Sequence, residues 1–163
     1  VRITTIYEGT TGIQSNDLIG RKVGRDRGAA MFALLDDMTR ELEALPATAA
    51  ASATTAALTG VADLRASTES LLQSLGSAPD RAMAVSVPYL RLCGIVIGGW
   101  LLAKSAAIAA ERIAGQTTDS EFFSAKLRSA HFYAEQIMPM AGALARIVQS
   151  GAASVVETDA AHI

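Results

Sequence analysis

One stretch near the start of the chain gathers the residue types that chemistry uses. Glu8 is followed by Gly9, Thr10, Thr11 and Gly12, then by Ile13 and Gln14. Two glycines around two threonines predict a turn, and backbone without Cβ atoms lets a polar or anionic ligand come close. Thr11 and Gln14 have the spacing of a capping box, in which the hydroxyl accepts a helix-terminal amide and the glutamine reaches back. The free amides of that helix start would face the same ligand. Glu8 stands just outside, where a carboxylate can remove a proton if desolvation tunes its pKa. By themselves, however, these residues fit an exposed turn carboxylate better.

The other candidates reduce to packing. His131 and Glu135 are four apart on a helical pattern, but two ligands do not make a zinc site, and a surface hydrogen-bonded pair is the better reading. Cys93, the single cysteine, lies in an apolar segment and is expected to be packed rather than reactive. Alone it builds neither a disulfide framework nor a thiolate-rich metal site, and it fits a reducing, cytoplasmic compartment. Trp100, Tyr89, Phe122, Phe123, Phe132 and Tyr133 fall at helical spacings that core packing explains. His162 sits in a loose tail and carries no argument. The sequence contains no nucleotide loop, hydrolase elbow or HExxH motif, and no metal site is expected. With 14 basic and 16 acidic residues, a net charge of −2, it offers no electrostatic footprint for DNA or RNA.

Positioning falls to helices. The chain has 163 residues, 50% apolar and 18% charged, with 32 alanines, 4 prolines and only 5% aromatics, a composition that favours helix over sheet. Residues 29–45 carry an apolar stripe through Met31, Leu34, Leu35, Met38, Leu42 and Leu45, and Pro46 stops the helix. A second helix is expected over about 52–75, with Leu58, Val61, Leu64, Thr68, Leu71, Leu72 and Leu75 inward. A third runs from about 79 to 114, and Pro88 should kink or break it. Its middle is apolar on nearly every side, so Ile95, Val96, Trp100 and Leu101 or Leu102 are expected among the most enclosed residues. Gly94 and Gly98, four apart, would let a neighbouring backbone approach. Its longest uncharged stretch, 92–103, is too short to span a bilayer and reads as a core helix. The fourth, from 119 or 120 to 149, places Phe123, Leu127, Ala130, Ala134, Ile137, Ala141, Leu144 and Val148 on a heptad seam, which Pro139 should bend near Glu135. The expectation is an all-α chain: a four-helix bundle over 28–150, an N-terminal arm with a short helix over 1–27, and a flexible tail over 151–163.

The arm carries a resemblance. Ile6-Tyr7-Glu8-Gly9-Thr10-Thr11-Gly12-Ile13-Gln14, continuing to Asn16-Asp17-Leu18-Ile19-Gly20-Arg21-Lys22, resembles the signature near the end of the acyl-CoA dehydrogenase catalytic domain. It is most similar to long bacterial members with an extra C-terminal helical domain, a group that includes methylmercaptopropionyl-CoA dehydrogenases. Residues 28–150 are similar to that extra domain in length and character.

The resemblance implies roles for a few positions. Glu8 becomes the general base that removes the α-proton of an acyl-CoA thioester, while the β-hydrogen leaves as hydride to the flavin. Gly9 becomes a substrate contact, and Thr10, Thr11 and Gly12 become contacts to FAD. An electron-transfer flavoprotein would be the downstream acceptor, and the enzyme would be a homo-oligomer. Most of that family's fold is not in this sequence, so Glu8 would act only in the longer parent. The absence of an initiator methionine at Val1 agrees with a chain cut from something longer, and the shorter chain alone is expected to be inactive and to bind no FAD. Its residues 1–23 are expected to be mobile or docked on the bundle. The runner-up reading is a helical interaction or oligomerisation module without catalysis.

Overall fold

The computed structural model describes residues 10–47, 49–159 and 161. Among them all regular structure is helical and no strand occurs, as the alanine-rich composition requires. Helix α1, Thr11–Asp17, runs on as a π-helical turn over Leu18–Val23. Helices α2 (Ala29–Glu43), α3 (Ala51–Ser77), α4 (Pro79–Ala84) and α5 (Ser86–Ala114) follow. Helix α6 (Ser120–Phe132) continues as a second π-helical turn over Tyr133–Ile137, then come α7 (Pro139–Ser150) and α8 (Ala152–Val156). The four expected segments form the bundle, counting α4–α5 and α6–α7 as one bent segment each. Helix α5 lies at its centre, against α3, α6, α7 and α1.

The bends have local causes. Pro88 has no N–H for the carbonyl of Ala84, so the helix ends there, pivots at Val85 and restarts with Pro88 in the first turn of α5. Pro139 likewise leaves the carbonyl of Glu135 without its partner. The chain widens into the second π-turn, and Met138 N–H donates to the carbonyl of Tyr133 at 2.9 Å. That wider turn adds a residue and broadens the inward face. Ala130 is buried before it and Met138, Ala141, Ala145 and Val148 after it, so Met138 and Ala145 join the expected seam. At the start of α2 the Asp26 carboxylate accepts the N–H groups of Gly28 and Ala30. Gly28 has φ +80°, and a Cβ there would stand 2.7 Å from Leu72 Cδ1, so both conformation and space require glycine.

Several expectations change on α5. Its buried face is Tyr89, Leu92, Cys93, Val96, Gly99, Ala103 and Ala106. Of the residues expected to be most enclosed, only Val96 belongs to it. Ile95, Trp100 and Leu102 are half-buried, and Leu101 is 51% exposed. An indole N–H needs an acceptor, and Trp100 finds it at the bundle edge: Nε1 donates to Glu41 Oε2 at 3.1 Å. Lys104 Nζ donates to the same oxygen at 2.6 Å and lies 4.8 Å from the indole centre. Gly98 receives the Tyr133 side chain rather than a backbone: its hydroxyl donates to the carbonyl of Ile95 at 3.1 Å and lies 2.5 Å from where a Gly98 Cβ would stand. By length and composition α5 is apolar enough to cross a membrane, a property that core helices share, and 44% of its most apolar 18-residue window is buried in the bundle.

The described part of the arm is docked. Ile19 and Val23 enter the bundle core, whereas Ile13 faces outward. The end of the chain is not wholly loose either. Helix α8 packs against α4, and Arg81 pairs with Glu157 at 3.1 Å.

Candidate functional site at the start of the first helix

Glu8 and Gly9 lie outside the described residues, as do Ile3, Ile6, Tyr7 and His162. The site can therefore be built from Thr10 onward. Thr10 is the cap residue of α1, and its carbonyl accepts the N–H of Gln14 at 2.9 Å. Helix α1 thus begins one residue earlier than a Thr11–Gln14 capping box requires, and Thr11 sits inside its first turn. Thr11 and Gly12 are exposed, Thr10 is half-buried, and among the described residues beyond its own helix turn none comes within 4 Å of where a Gly12 Cβ would stand. Open backbone at a helix start fits one face of a flavin or another flat polar group. Among the described residues nothing walls it in.

What fixes this start is a residue that the pattern of candidate groups did not single out. Ser15 is fully buried, 2.9 Å from the Gly12 carbonyl and 3.1 Å from Ser86 Oγ. A hydroxyl has one proton and a carbonyl can only accept, so Ser15 donates to Gly12 and takes its second bond from Ser86. The chain Ser86, Ser15, Gly12 joins the first turn of α5 to the first turn of α1. Further along, Arg21 Nε donates to Asp17 Oδ1 at 2.5 Å, which lowers the Asp17 pKa and raises that of Arg21.

The remaining polar candidates have structural partners. His131 Nε2 lies 2.9 Å from the carbonyl of Ala49, so its partner is the α2–α3 connection rather than Glu135. Among the described residues no group of three His, Cys, Asp or Glu is placed to hold a metal ion. Cys93 is buried, and desolvation pushes its thiol pKa up to about 12, which leaves it without thiolate character. Burial likewise raises the pKa of Tyr89, whose hydroxyl meets Thr68 Oγ1 at 2.8 Å. A separate groove of about 550 Å³ opens between α5 and the α6–α7 bend, lined by Arg91, Gly94, Ile95, Tyr133, Met140 and Leu144 among others.

Residues 29–159 match the family described as "Acetyl-CoA dehydrogenase C-terminal like". The chain is 44% identical over 140 residues to a 3-methylmercaptopropionyl-CoA dehydrogenase of Ruegeria pomeroyi, an alignment covering 84% of this chain and 24% of that protein. It is 28% identical over 169 residues to FadE5, a broad-specificity linear acyl-CoA dehydrogenase of Mycobacterium tuberculosis, covering 98% of this chain and 28% of that one. The chain therefore spans about a quarter of the length of these relatives. An alignment over 98% of the chain takes in the Tyr7–Gln14 motif as well as the bundle. Motif, helical architecture and family match agree, and the chain belongs to the acyl-CoA dehydrogenase C-terminal family.

Proposed function

We propose that this chain is the C-terminal part of a flavin-dependent acyl-CoA dehydrogenase, in which Glu8 removes the α-proton of an acyl-CoA thioester. The observation that carries this reading is the succession, in one chain, of the Tyr-Glu-Gly-Thr motif and the family match over 29–159. In the same reading residues 1–27 end the catalytic domain, 28–150 form the appended bundle and 151–163 are its tail. Gly9 contacts substrate, and Thr10, Thr11 and Gly12 hold one edge of FAD. When bound, the flavin supplies the hydride acceptor for the β-hydrogen. The protein's own part is to hold Glu8 beside the α-carbon in a site dry enough to tune its pKa. An electron-transfer flavoprotein, a homo-oligomeric state and a cytoplasmic location complete the proposal.

One helix start cannot enclose an isoalloxazine ring, so the 163-residue chain alone is expected to bind no FAD and to turn over no substrate. The test uses the full-length gene product, an acyl-CoA series and a dye electron acceptor. Turnover should vanish in Glu8→Gln while FAD stays bound. A Glu8→Gln enzyme that still reduces the dye would remove the assignment of the base, and a start codon just upstream of Val1 would remove the enzyme reading altogether.

The alternative, an interaction module without catalysis, is favoured by the exposed apolar residues Leu101 and Ile108 on α5 and Phe122 and Phe132 on α6. Sedimentation of the chain with and without Leu101→Glu and Ile108→Glu distinguishes a self-associating surface from an inert one.

A further inference from the structure

Resting on the reading of Glu8 as the base, we infer that the bundle sets the position of the catalytic loop, and that Ser86, acting through Ser15, is the positioning residue. Glu8 lies four residues before Gly12 in the chain, and the Gly12 carbonyl is held by Ser15 at 2.9 Å. Ser15 is in turn bonded to Ser86 at 3.1 Å, across 71 residues of sequence. Both serines are buried, so water does not compete for the bond between them, while the bond to Gly12 is half-buried. Ser86 is the first residue of α5, next to the pivot at Val85, and Pro88 in the same turn stiffens the backbone that carries it. On the arm side Ile19 and Val23 are sunk in the core, so α1 cannot slide along the bundle. The serine pair joins arm and bundle one residue beyond the motif, and through it the central helix holds the first turn of α1. A small displacement of a base from its proton costs one to two orders of magnitude in rate. The appended bundle is then a support of the active site and not a passenger.

The test is made in the full-length enzyme with Ser86→Ala, Ser15→Ala and the double variant, with Val148→Ala on α7 as a control that weakens the bundle away from the arm. Each Ser→Ala change should lower kcat roughly ten- to hundredfold. FAD content and KM should stay unchanged, and the kinetic isotope effect with α-deuterated substrate should rise as proton removal becomes slower. The double variant should lose no more than the larger single loss, because both changes cut one chain of bonds. Val148→Ala should lower the melting temperature and leave kcat at 25 °C unchanged. If kcat and the isotope effect stay at wild-type values in Ser15→Ala and Ser86→Ala while Glu8→Gln is inactive, the base stands and the positioning role falls. An active Glu8→Gln overturns both. Should Ser86→Ala fail to fold, Ser15→Ala decides by the same readouts, since Ser86 keeps its place in α5.

Discussion

Truncating Trp100 to alanine tests whether this side chain is an edge anchor or part of the core. A fully enclosed tryptophan loses about 3–5 kcal/mol on this change. Here the indole is half-buried, its N–H on Glu41 and its face beneath the Lys104 ammonium. Most but not all of the packing contribution remains to be lost, and the exposed cation–π contact adds about 0.5–1 kcal/mol, so about 2–4 kcal/mol is expected. Leu92, fully buried on the same helix, sets the scale: Leu92→Ala should cost about 3–4 kcal/mol and leave a cavity. At about 2–4 °C per kcal/mol for a chain of this size, the smaller aliphatic residue should shift Tm at least as much as the tryptophan does. Trp100→Phe, which keeps an aromatic ring but loses the N–H donor, should cost about 1 kcal/mol. Urea and thermal melts followed by circular dichroism give the stabilities. Because Trp100 is the only tryptophan, acrylamide quenching of native fluorescence reports its exposure independently. A Trp100→Ala loss larger than that of Leu92→Ala, with fluorescence closed to acrylamide, would refute the reasoning.

Three further outcomes follow from particular contacts. The hydrogen bond from Lys104 holds the Glu41 carboxyl below its ordinary value of 4.5. A lowered native pKa gives stability that is present above the unfolded value and lost as pH falls through the native one. The Tm difference between wild type and Glu41→Gln should therefore be constant near neutrality and shrink below about pH 4.5, and a difference that grows on acidification would reverse the sign. Cys93, with its pKa at about 12, should resist a disulfide reagent at pH 8 in the native protein and react in denaturant; prompt native reaction would show that the thiol is not enclosed. Gly28→Ala should cost about 1–2 kcal/mol, because it strains a φ of +80° and pushes against Leu72, whereas Gly12→Ala, exposed and clear of the described side chains, should be near neutral in urea melts.

The helices were legible because proline and apolar spacing speak locally. Pro46, Pro88 and Pro139 each mark a stop or a bend, and Leu35, Met38 and Leu42 read as one buried stripe. What was not legible depends on distant partners. The composition of α5 shows that much of it is apolar, but which side faces inward is decided by where α3, α6 and α7 lie. Leu101 is as apolar as Leu92 and Val96, yet it falls on the outer side, and Trp100 stands at the edge. The second π-turn is a similar case. Pro139 foretells a bend near Glu135, but the extra residue that carries Met138 inward is one of several ways to relieve the missing bond.

The site divides along the same line. The residues proposed for the site, Tyr7 to Gln14, are contiguous and can be read together, whereas the bond that ties α1 to the central helix joins Ser15 to Ser86, 71 positions away. A local signal did exist. Ser15, Ile19 and Val23 recur every four residues on one face, and all three are buried. A small hydroxyl at the head of such a stripe must find a partner when it is buried, since an unpaired one costs about 1–3 kcal/mol. That reasoning identifies Ser15 as bonded without naming Ser86. It also separates two meanings of a boundary near residue 27. In the proposed function the arm goes with a catalytic domain; by packing, Ile19 and Val23 are core residues of the bundle. A helix that belongs to both units by these two criteria is the element through which a change in one reaches the other.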